Sequence, residues 1–237
     1  VLTYGFGSSA DVRASNYGLK ADGSGVAFKI NHRGATVPVW LPSVYGRQQV
    51  YAALAGAAAG IAFGLNLVQI AEALSRYTPP PGRLRRLSGI KGSWILDDSY
   101  NSSPLAALAA LEVLRELPAS RRIAVLGDML ELGKYTPEAH TLVGEEAGRV
   151  ATILFTVGVR ARFMAEAARR VGLSADRVRE FDTVADAGRA LQQVLQPGDA
   201  VLVKGSQGMR MEKLVEEVMA EPNRAAELLC RQGATWK

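Results

Sequence analysis

The feature that most constrains the fold is a regular alternation of strand-like and helix-like segments from about Gly82 to the end of the chain. Short runs rich in Val, Ile and Leu are separated by longer segments whose apolar residues recur at helical spacing. The strand-like runs are WILDD, RIAVLGD, TILFTVG, RVREF and DAVLVKG, and a hairpin around GIKGS precedes the first of them. Strands joined through helices form right-handed crossovers. The pattern therefore predicts the α/β class, with a Rossmann-like, mostly parallel sheet covered on both faces.

The first third of the chain has a different character. Residues 1–44 contain short strand-like runs separated by ADGSG and NHRGA, whose turn chemistry favours antiparallel pairing. An Ala-rich helix is predicted from about Arg47, and a second helix in LNLVQIAEALSRY. Three prolines at positions 79–81 end that helix because proline has no N–H to donate. We predict two domains, a mixed α/β domain over 1–81 and the α/β domain over 82–237.

Composition and charge exclude several classes of protein. With 237 residues, 48% of them hydrophobic, the chain can bury a full core. The Ala/Gly-rich run VYAALAGAAAGIAFGL is shorter than the roughly 18 apolar residues of a membrane helix, so we expect no membrane insertion. The net charge of +5 comes from arginines scattered among acidic residues, which argues against nucleic acid as a partner. The single cysteine, Cys230, favours a reducing compartment, and we expect a cytoplasmic protein.

Polar side chains follow three of the predicted parallel strands. WILDD ends in Asp97 and Asp98, IAVLGD ends in Asp128, and AVLVKGS ends in Lys204 and Ser206. The carboxyl ends of parallel strands meet at one edge of the sheet, where ligands of such folds bind. We therefore expect these side chains to line one cleft.

Helix N-termini are predicted at the same edge. Ser103 and Pro104 have the residue types of a helix N-cap and first turn, and Lys204 to Ser206 are expected to open the last helix in the same way.

Other interpretations of these residues remain open. An aspartate at a strand-to-helix junction is often only a cap or turn residue, and Glu131 and Lys134 are more often plain loop residues. His140 is as easily a surface or hydrogen-bonding histidine as a functional one. The sequence contains no GxSxG, HExxH, CxxC or GxxxxGK[ST] pattern, which argues against hydrolase, zinc and phosphate-loop sites within these residues.

The order of several motifs resembles one known family. DDSYNSSP is followed by VLGDMLELG, by the histidine of AHTLVG and by LVKGS with RMEKLV, while YGFG, LPSVYGR, ALAGAAAG and PPGRL precede them. This order is similar to that of the Mur ligases, and within them to the members that add D-alanyl-D-alanine to UDP-N-acetylmuramoyl-tripeptide. The resemblance runs along nearly the whole chain.

The resemblance implies a three-domain enzyme of the bacterial cytoplasm that uses ATP and Mg²⁺. ATP phosphorylates the substrate carboxylate, and the amine of D-Ala-D-Ala then displaces phosphate from the acyl phosphate. The partners are thus UDP-N-acetylmuramoyl-tripeptide, D-Ala-D-Ala and the N-terminal half of the ligase. That half holds the phosphate loop and the metal ligands, so no catalytic or metal-binding residue is assigned to this chain.

The resemblance also assigns individual residues. By position it implies two groups: Arg83, Asp98, Tyr100 and Asn101 for the nucleotide, and Asp128, Glu131, Lys204 and Ser206 for the incoming dipeptide. His140 matches a family position to which no role is assigned.

Several positions depart from the family pattern. Gln48 and Ala52 stand where His and Asn are usual, Ser103 replaces an Asn, and Gln207 replaces the arginine after KGS. The chain begins at Val1 without an initiator Met, and we expect it to be the later half of a longer ligase that cannot use ATP by itself.

These departures leave two alternatives to a working ligase. One is a degenerate ligase fragment that acts as a non-catalytic binding module. The other, a nucleotide-binding domain of an oxidoreductase, lacks the GxGxxG motif that it would need.

Overall fold

The computed structural model describes residues 1–233 and residue 236. The chain divides into two compact units, Val1–Pro79 and Pro80–Lys237, and the division falls inside the run of three prolines. Each unit has its own hydrophobic core, which includes Leu54 in the first unit and Val201 in the second.

The first unit contains a four-stranded sheet. Its strands, in spatial order, are β1 Tyr4–Gly5, β2 Val12–Leu19, β3 Gly25–His32 and β4 Ala35–Pro42. β2, β3 and β4 pair antiparallel, as the turn sequences predict, but β1 runs parallel to β2. The Asp11 carboxylate accepts hydrogen bonds from the backbone N–H (2.8 Å) and hydroxyl (2.7 Å) of Thr3, which holds these two segments side by side in one direction.

Two helices pack on this sheet. They are α1 Arg47–Ala62 and α2 Leu67–Ser75. Asn66 begins α2 with a capping box: its side chain accepts from the Gln69 N–H, and the Gln69 side chain accepts from the Asn66 N–H. Leu54 of α1 and Ile70 of α2 are buried against Phe28 and Leu41 of the sheet, so the amphipathic pattern of both helices is satisfied.

The second unit contains a six-stranded sheet. Its strands in chain order are β5 Arg85–Ser88, β6 Trp94–Asp98, β7 Arg121–Gly127, β8 Ile153–Val157, β9 Val178–Phe181 and β10 Asp199–Lys204. Their spatial order is β5-β6-β10-β7-β8-β9. All neighbouring pairs are parallel except β5 with β6, which form the hairpin predicted around GIKGS. The predicted α/β class with a mostly parallel sheet is confirmed.

Helices cover both faces of this sheet. They are α3 Pro104–Glu116, α4 Thr136–Val150, α5 Arg162–Arg170, α6 Val184–Val194, α7 Glu212–Val218 and α8 Ala225–Leu228. α3, α4 and α5 follow crossovers that advance in one direction across the sheet, and they pack side by side on one face. α6 returns from the edge strand β9 to β10 in the middle, and right-handedness places it with α7 on the other face.

The reversal creates a switch point between β7 and β10. The chain leaves the end of β7 towards one face and the end of β10 towards the other, which is the arrangement where open α/β sheets bind ligands. The residues that follow these strands therefore become the candidate functional site.

One expectation about the last part of the chain is wrong. Lys204 to Ser206 do not open a long helix, because a short 3-10 turn, Gln207–Met209, and Arg210 in left-handed geometry come before α7 begins at Glu212. The segment after Pro222 forms the short helix α8. Ala225, Leu228 and Leu229 are buried in the core, and Arg231 is buried too.

Within residues 1–233 and residue 236, no helix combines the length and the apolar character needed to cross a membrane.

Candidate functional site

The turn that follows β6, residues 97–101, is the centre of the candidate site. In the sheet, Asp98 lies opposite Lys204 of β10. The Lys204 ammonium donates to the Asp98 carboxylate (2.6 Å) and to the backbone carbonyl of Asn101 (2.8 Å). Since both charged side chains are buried, each compensates the other. The expectation that these two strand ends converge on one edge of the sheet is confirmed.

The two adjacent aspartates have different surroundings. Asp97 is fully buried and accepts hydrogen bonds from the backbone N–H groups of Gly82 and Ser99, both at 3.1 Å. Burial raises the pKa of Asp97 to about 6, and the neighbouring Asp98 adds to this effect. Asp97 therefore ties the segment before β5 to the turn and does not reach the cleft.

Asp98 lies at the rim of the site. Its second carboxylate oxygen accepts from the Leu84 N–H (3.1 Å). Burial raises its pKa, while the ammonium of Lys204 and the Leu84 N–H oppose the rise. Each carboxylate oxygen has two lone pairs, so one bond to each leaves a second lone pair that could accept from a ligand hydroxyl.

Arg83, Tyr100 and Asn101 point outwards beside Asp98. The Arg83 guanidinium carbon lies 4.1 Å from the centroid of the Tyr100 ring, and both side chains are exposed. The Asn101 side-chain oxygen accepts from the N–H groups of Ser102 (2.9 Å) and Gln207 (3.3 Å), which aims the amide group of Asn101. The structure thus brings together all four residues of the predicted nucleotide group.

Gly82 lets the segment before β5 approach this turn. Its φ is +73°, and an added Cβ would lie 2.9 Å from the Tyr100 nitrogen and 3.1 Å from the Cys230 sulfur. The Tyr100 N–H in turn donates to the Gly82 carbonyl (3.1 Å). A larger residue at position 82 would separate Arg83 from Tyr100.

A second turn follows β7 and carries Asp128 and Glu131. The Ser206 N–H donates to the Asp128 carbonyl (3.0 Å), and the Ser206 hydroxyl accepts from the Leu130 N–H (2.8 Å). The ends of β7 and β10 are therefore linked across the switch point. Gly127 and Gly205 face each other there, since an added Cβ on Gly205 would lie 3.2 Å from the Gly127 Cα.

His140 fixes the backbone of the same turn. Its imidazole is buried, accepts from the Met129 N–H at Nε2 (2.9 Å) and lies 2.7 Å from the Thr136 carbonyl at Nδ1. These contacts require the neutral ring with its proton on Nδ1, and burial lowers the pKa of His140 accordingly. The hydrogen-bonding interpretation of His140 is therefore confirmed, and the surface one is wrong.

The predicted dipeptide group divides into internal and exposed members. The Asp128 carboxylate accepts from the Ala161 N–H (2.7 Å) and from Arg160 (3.3 Å), so it fixes the start of α5. Lys204 and Ser206 are likewise buried and bonded within the protein. Glu131 alone of the four is exposed, on a residue with a φ of +64°.

Sequence reasoning gave no role to Arg231 and Glu212. Arg231 donates to the carbonyls of Ser99 (2.8 Å) and Tyr100 (2.7 Å) and forms a buried ion pair with Glu212. Burial acts to raise the pKa of Glu212, but hydrogen bonds from Arg231 and Arg210 hold it below its ordinary value. The motif RMEKLV contains Glu212, but no sequence pattern predicts that it pairs with a residue nineteen positions later.

Comparison with known proteins identifies the family. Residues 82–207 match the family described as "Mur ligase, glutamate ligase domain", which is more than half of the chain. The chain belongs to the Mur ligase family.

Curated Mur ligases resemble the chain beyond this domain. UDP-N-acetylmuramoyl-tripeptide–D-alanyl-D-alanine ligase of Bacillus subtilis is 30% identical over 226 residues, covering 93% of this chain and 47% of that protein. The protein of the same name from Escherichia coli is 33% identical over 210 residues, covering 88% and 44%. This Mur ligase chain thus spans about half the length of the curated relatives it matches.

Solved Mur ligase structures share the fold. A crystal structure of MurF from Acinetobacter baumannii superposes with a TM-score of 0.78 at 28% identity, over 90% of this chain and 46% of that one. MurF ligase from Thermotoga maritima in complex with ADP gives a TM-score of 0.76 over 91% and 47%. At 22% identity, the latter supports the fold alone.

The departures from the Mur ligase pattern have clear places in the structure. Ser103 is the N-cap of α3, and its hydroxyl accepts from the Ala106 N–H (3.4 Å) as predicted. Gln207 keeps a role through its backbone N–H on Asn101, whereas its side chain is exposed. Gln48 is exposed in the first turn of α1.

Proposed function

We propose that this chain is the C-terminal part of an ATP-dependent ligase of the bacterial cytoplasm. The ligase joins D-alanyl-D-alanine to UDP-N-acetylmuramoyl-tripeptide in peptidoglycan precursor synthesis. The observation that carries the proposal is that the motifs DDSYN, GDMLE and VKGS, on which the resemblance rests, lie together at one edge of the sheet. The names of the Bacillus subtilis and Escherichia coli relatives support the choice of reaction. Residues 1–81 then form the end of the central, ATPase-type domain, and residues 82–237 form the C-terminal domain.

Nucleotide binding is assigned to Arg83, Asp98, Tyr100 and Asn101. An exposed guanidinium suits a phosphate oxygen, and the side-chain amino group of Asn101 suits a ribose or phosphate oxygen. Asp98 suits a ribose hydroxyl, because its bonds to Lys204 and Leu84 leave lone pairs available. These residue types fit a nucleotide, which in this reaction supplies the phosphoryl group that activates the acceptor carboxylate.

The dipeptide group is assigned in two parts. Glu131 is exposed at the end of the second turn, where its carboxylate suits the ammonium group of an incoming amino acid. Asp128, Lys204 and Ser206 act by holding the two turns in place, because their polar atoms are already bonded to the protein. This arrangement refines the prediction that all four residues face the dipeptide.

No metal-binding residue is assigned to this chain. Among the described residues, no group of three or more His, Cys, Asp or Glu side chains is placed to hold one. The Mg²⁺ of the complete ligase is assigned to residues of its N-terminal half.

A chimeric ligase tests the proposal. The N-terminal half of the Escherichia coli relative would be joined to this chain, and the product would be identified by mass spectrometry after incubation with ATP, D-Ala-D-Ala and UDP-N-acetylmuramoyl-tripeptide. We expect the amide product, and we expect the R83A chimera to need a higher ATP concentration. R115A is the matched control, because Arg115 pairs with Glu146 on the helices and lies away from the two turns.

A folded chimera that makes no product but binds nucleotide would favour the second candidate, a degenerate ligase fragment that serves as a binding module. The observation that favours this alternative is the replacement of three side chains of the family pattern, at Gln48, Ala52 and Gln207.

A further inference from the structure

Three consecutive carbonyl groups of the first turn accept hydrogen bonds from two buried cations. Arg231 donates to the carbonyls of Ser99 (2.8 Å) and Tyr100 (2.7 Å), and Lys204 donates to that of Asn101 (2.8 Å). A turn held only by its own backbone would leave these oxygens to water. The backbone of this turn is therefore fixed by side chains from two distant segments.

Arg231 is itself firmly placed. Its side chain is 3% exposed, and that of its partner Glu212 is 1% exposed. The Arg231 backbone is left-handed, with a φ of +55°, which a non-glycine residue adopts only when its surroundings impose it. The buried Leu228 and Leu229 anchor the segment just before it. The segment after α8 thus presents one guanidinium to both Glu212 and the turn.

The outward side of the turn depends on the same residue. The guanidinium carbons of Arg83 and Arg231 lie 4.1 Å and 5.7 Å from the centroid of the Tyr100 ring. Loss of Arg231 would release two carbonyls and remove one neighbour of the ring. Arg83, which stacks on the same ring, would then lose its support.

We propose that Arg231, held by Glu212, is a positioning residue for the nucleotide-facing turn of the ligase. This inference rests on the proposed function, because it assigns the turn to the nucleotide. Arg231 need not touch the nucleotide itself. A planar fork with five donors can serve two carbonyls and a carboxylate at once, whereas the single ammonium of a lysine cannot reach all three in this geometry.

Two measurements on R231K test the inference. In the 237-residue chain, we expect hydrogen exchange of the Tyr100 amide, which donates to Gly82, to accelerate at least about tenfold, while amides of β7 and β8 stay protected. In the chimeric ligase, we expect the KM for ATP to rise at least about tenfold and the KM for D-Ala-D-Ala to change less.

Two further variants provide an independent test of the inference and a control. E212Q keeps the shape of the partner but removes its charge, and we expect the same changes in smaller measure. R224K is the matched control, because Arg224 lies in the same segment but makes exposed ion pairs with Glu221 and Glu227. We expect no change in that variant.

Three outcomes would overturn the inference. An unchanged exchange rate of the Tyr100 amide in R231K and E212Q would show that the turn does not depend on Arg231 and Glu212. Faster exchange with an unchanged KM for ATP in an active chimera would show that the turn does not face the nucleotide. Loss of the folded circular dichroism spectrum in both variants would make the pair a folding determinant only. An inactive wild-type chimera would instead count against the proposed function, and the exchange data would still decide whether Arg231 positions the turn.

Discussion

At the scale of single residues, Asp97 shows how one carboxylate makes the stability of this fold depend on pH. Its pKa of about 6 in the folded chain lies above the ordinary value of 3.8 because the group is fully buried. Between these two values the folded state binds the proton that the unfolded state has lost, so the free energy of unfolding falls as the pH rises. At about 1.4 kcal/mol per pKa unit, the contribution of Asp97 amounts to about 3 kcal/mol, present in full below pH 3.8 and lost as the pH rises above 6.

The D97N variant isolates this effect. The variant will be less stable overall. Asp97 accepts hydrogen bonds from two backbone N–H groups, and in D97N the side-chain NH₂ group would face one of these donors. The informative quantity is therefore the difference between wild type and D97N, measured by urea unfolding at several values from pH 4 to pH 7. We expect wild type to lose about 2 kcal/mol relative to D97N over that range, because part of the contribution is already lost at pH 4. Parallel curves would show that Asp97 does not titrate in this window.

The adjacent aspartates also show what a sequence can and cannot predict. The repeated carboxylates after a strand correctly predicted a polar strand end at the sheet edge, because the pattern is local. The structure alone separates Asp97, which accepts from backbone N–H groups, from Asp98, which pairs with Lys204, since Gly82, Leu84 and Lys204 approach from distant segments. Arg231 was missed for the same reason: its acceptors lie more than 130 residues earlier in the chain.

At the scale of elements, the packing of α4 on α5 depends on two glycines. An added Cβ at Gly144 would lie 2.8 Å from the Met164 carbonyl carbon, and one at Gly148 would lie 2.8 Å from the Ala168 Cα. These positions are one helical turn apart, so they form a strip where the two helix backbones approach closely. Periodicity predicted both helices, but it gave no reason for glycine in the middle of α4.

The G144A variant tests this packing against helix propensity. Alanine favours a helix over glycine by about 1 kcal/mol, so propensity alone predicts stabilisation. We expect a net loss of about 1–3 kcal/mol instead, because the new methyl group has no space against Met164. G56A in α1 is the control, since nothing lies within 4 Å of an added Cβ there and propensity should prevail. Hydrogen exchange of each helix would measure both effects, and stabilisation by G144A would contradict the close approach.

At the scale of the whole molecule, we expect the proposed site to be one side of a larger one. The residues assigned to the nucleotide come from two segments, one at Arg83 and the other the turn 97–101, and both lie at one sheet edge of the second unit. Phosphoryl transfer depends on groups that surround the phosphates and stabilise developing charge. The sequence contains no GxxxxGK[ST] loop, and the curated relatives are about twice as long.

We therefore expect the purified 237-residue chain to bind ATP weakly or not at all and to release no phosphate from it. Calorimetric titration with ATP would measure binding, and a phosphate-release assay with and without D-Ala-D-Ala would measure turnover. The R83A variant separates a contaminating ATPase from activity of the chain, because Arg83 is exposed and is assigned to the nucleotide. Phosphate release that R83A abolishes would mean that these residues contain a complete ATPase site, and the assignment of the phosphate loop to the N-terminal half of the ligase would then be wrong.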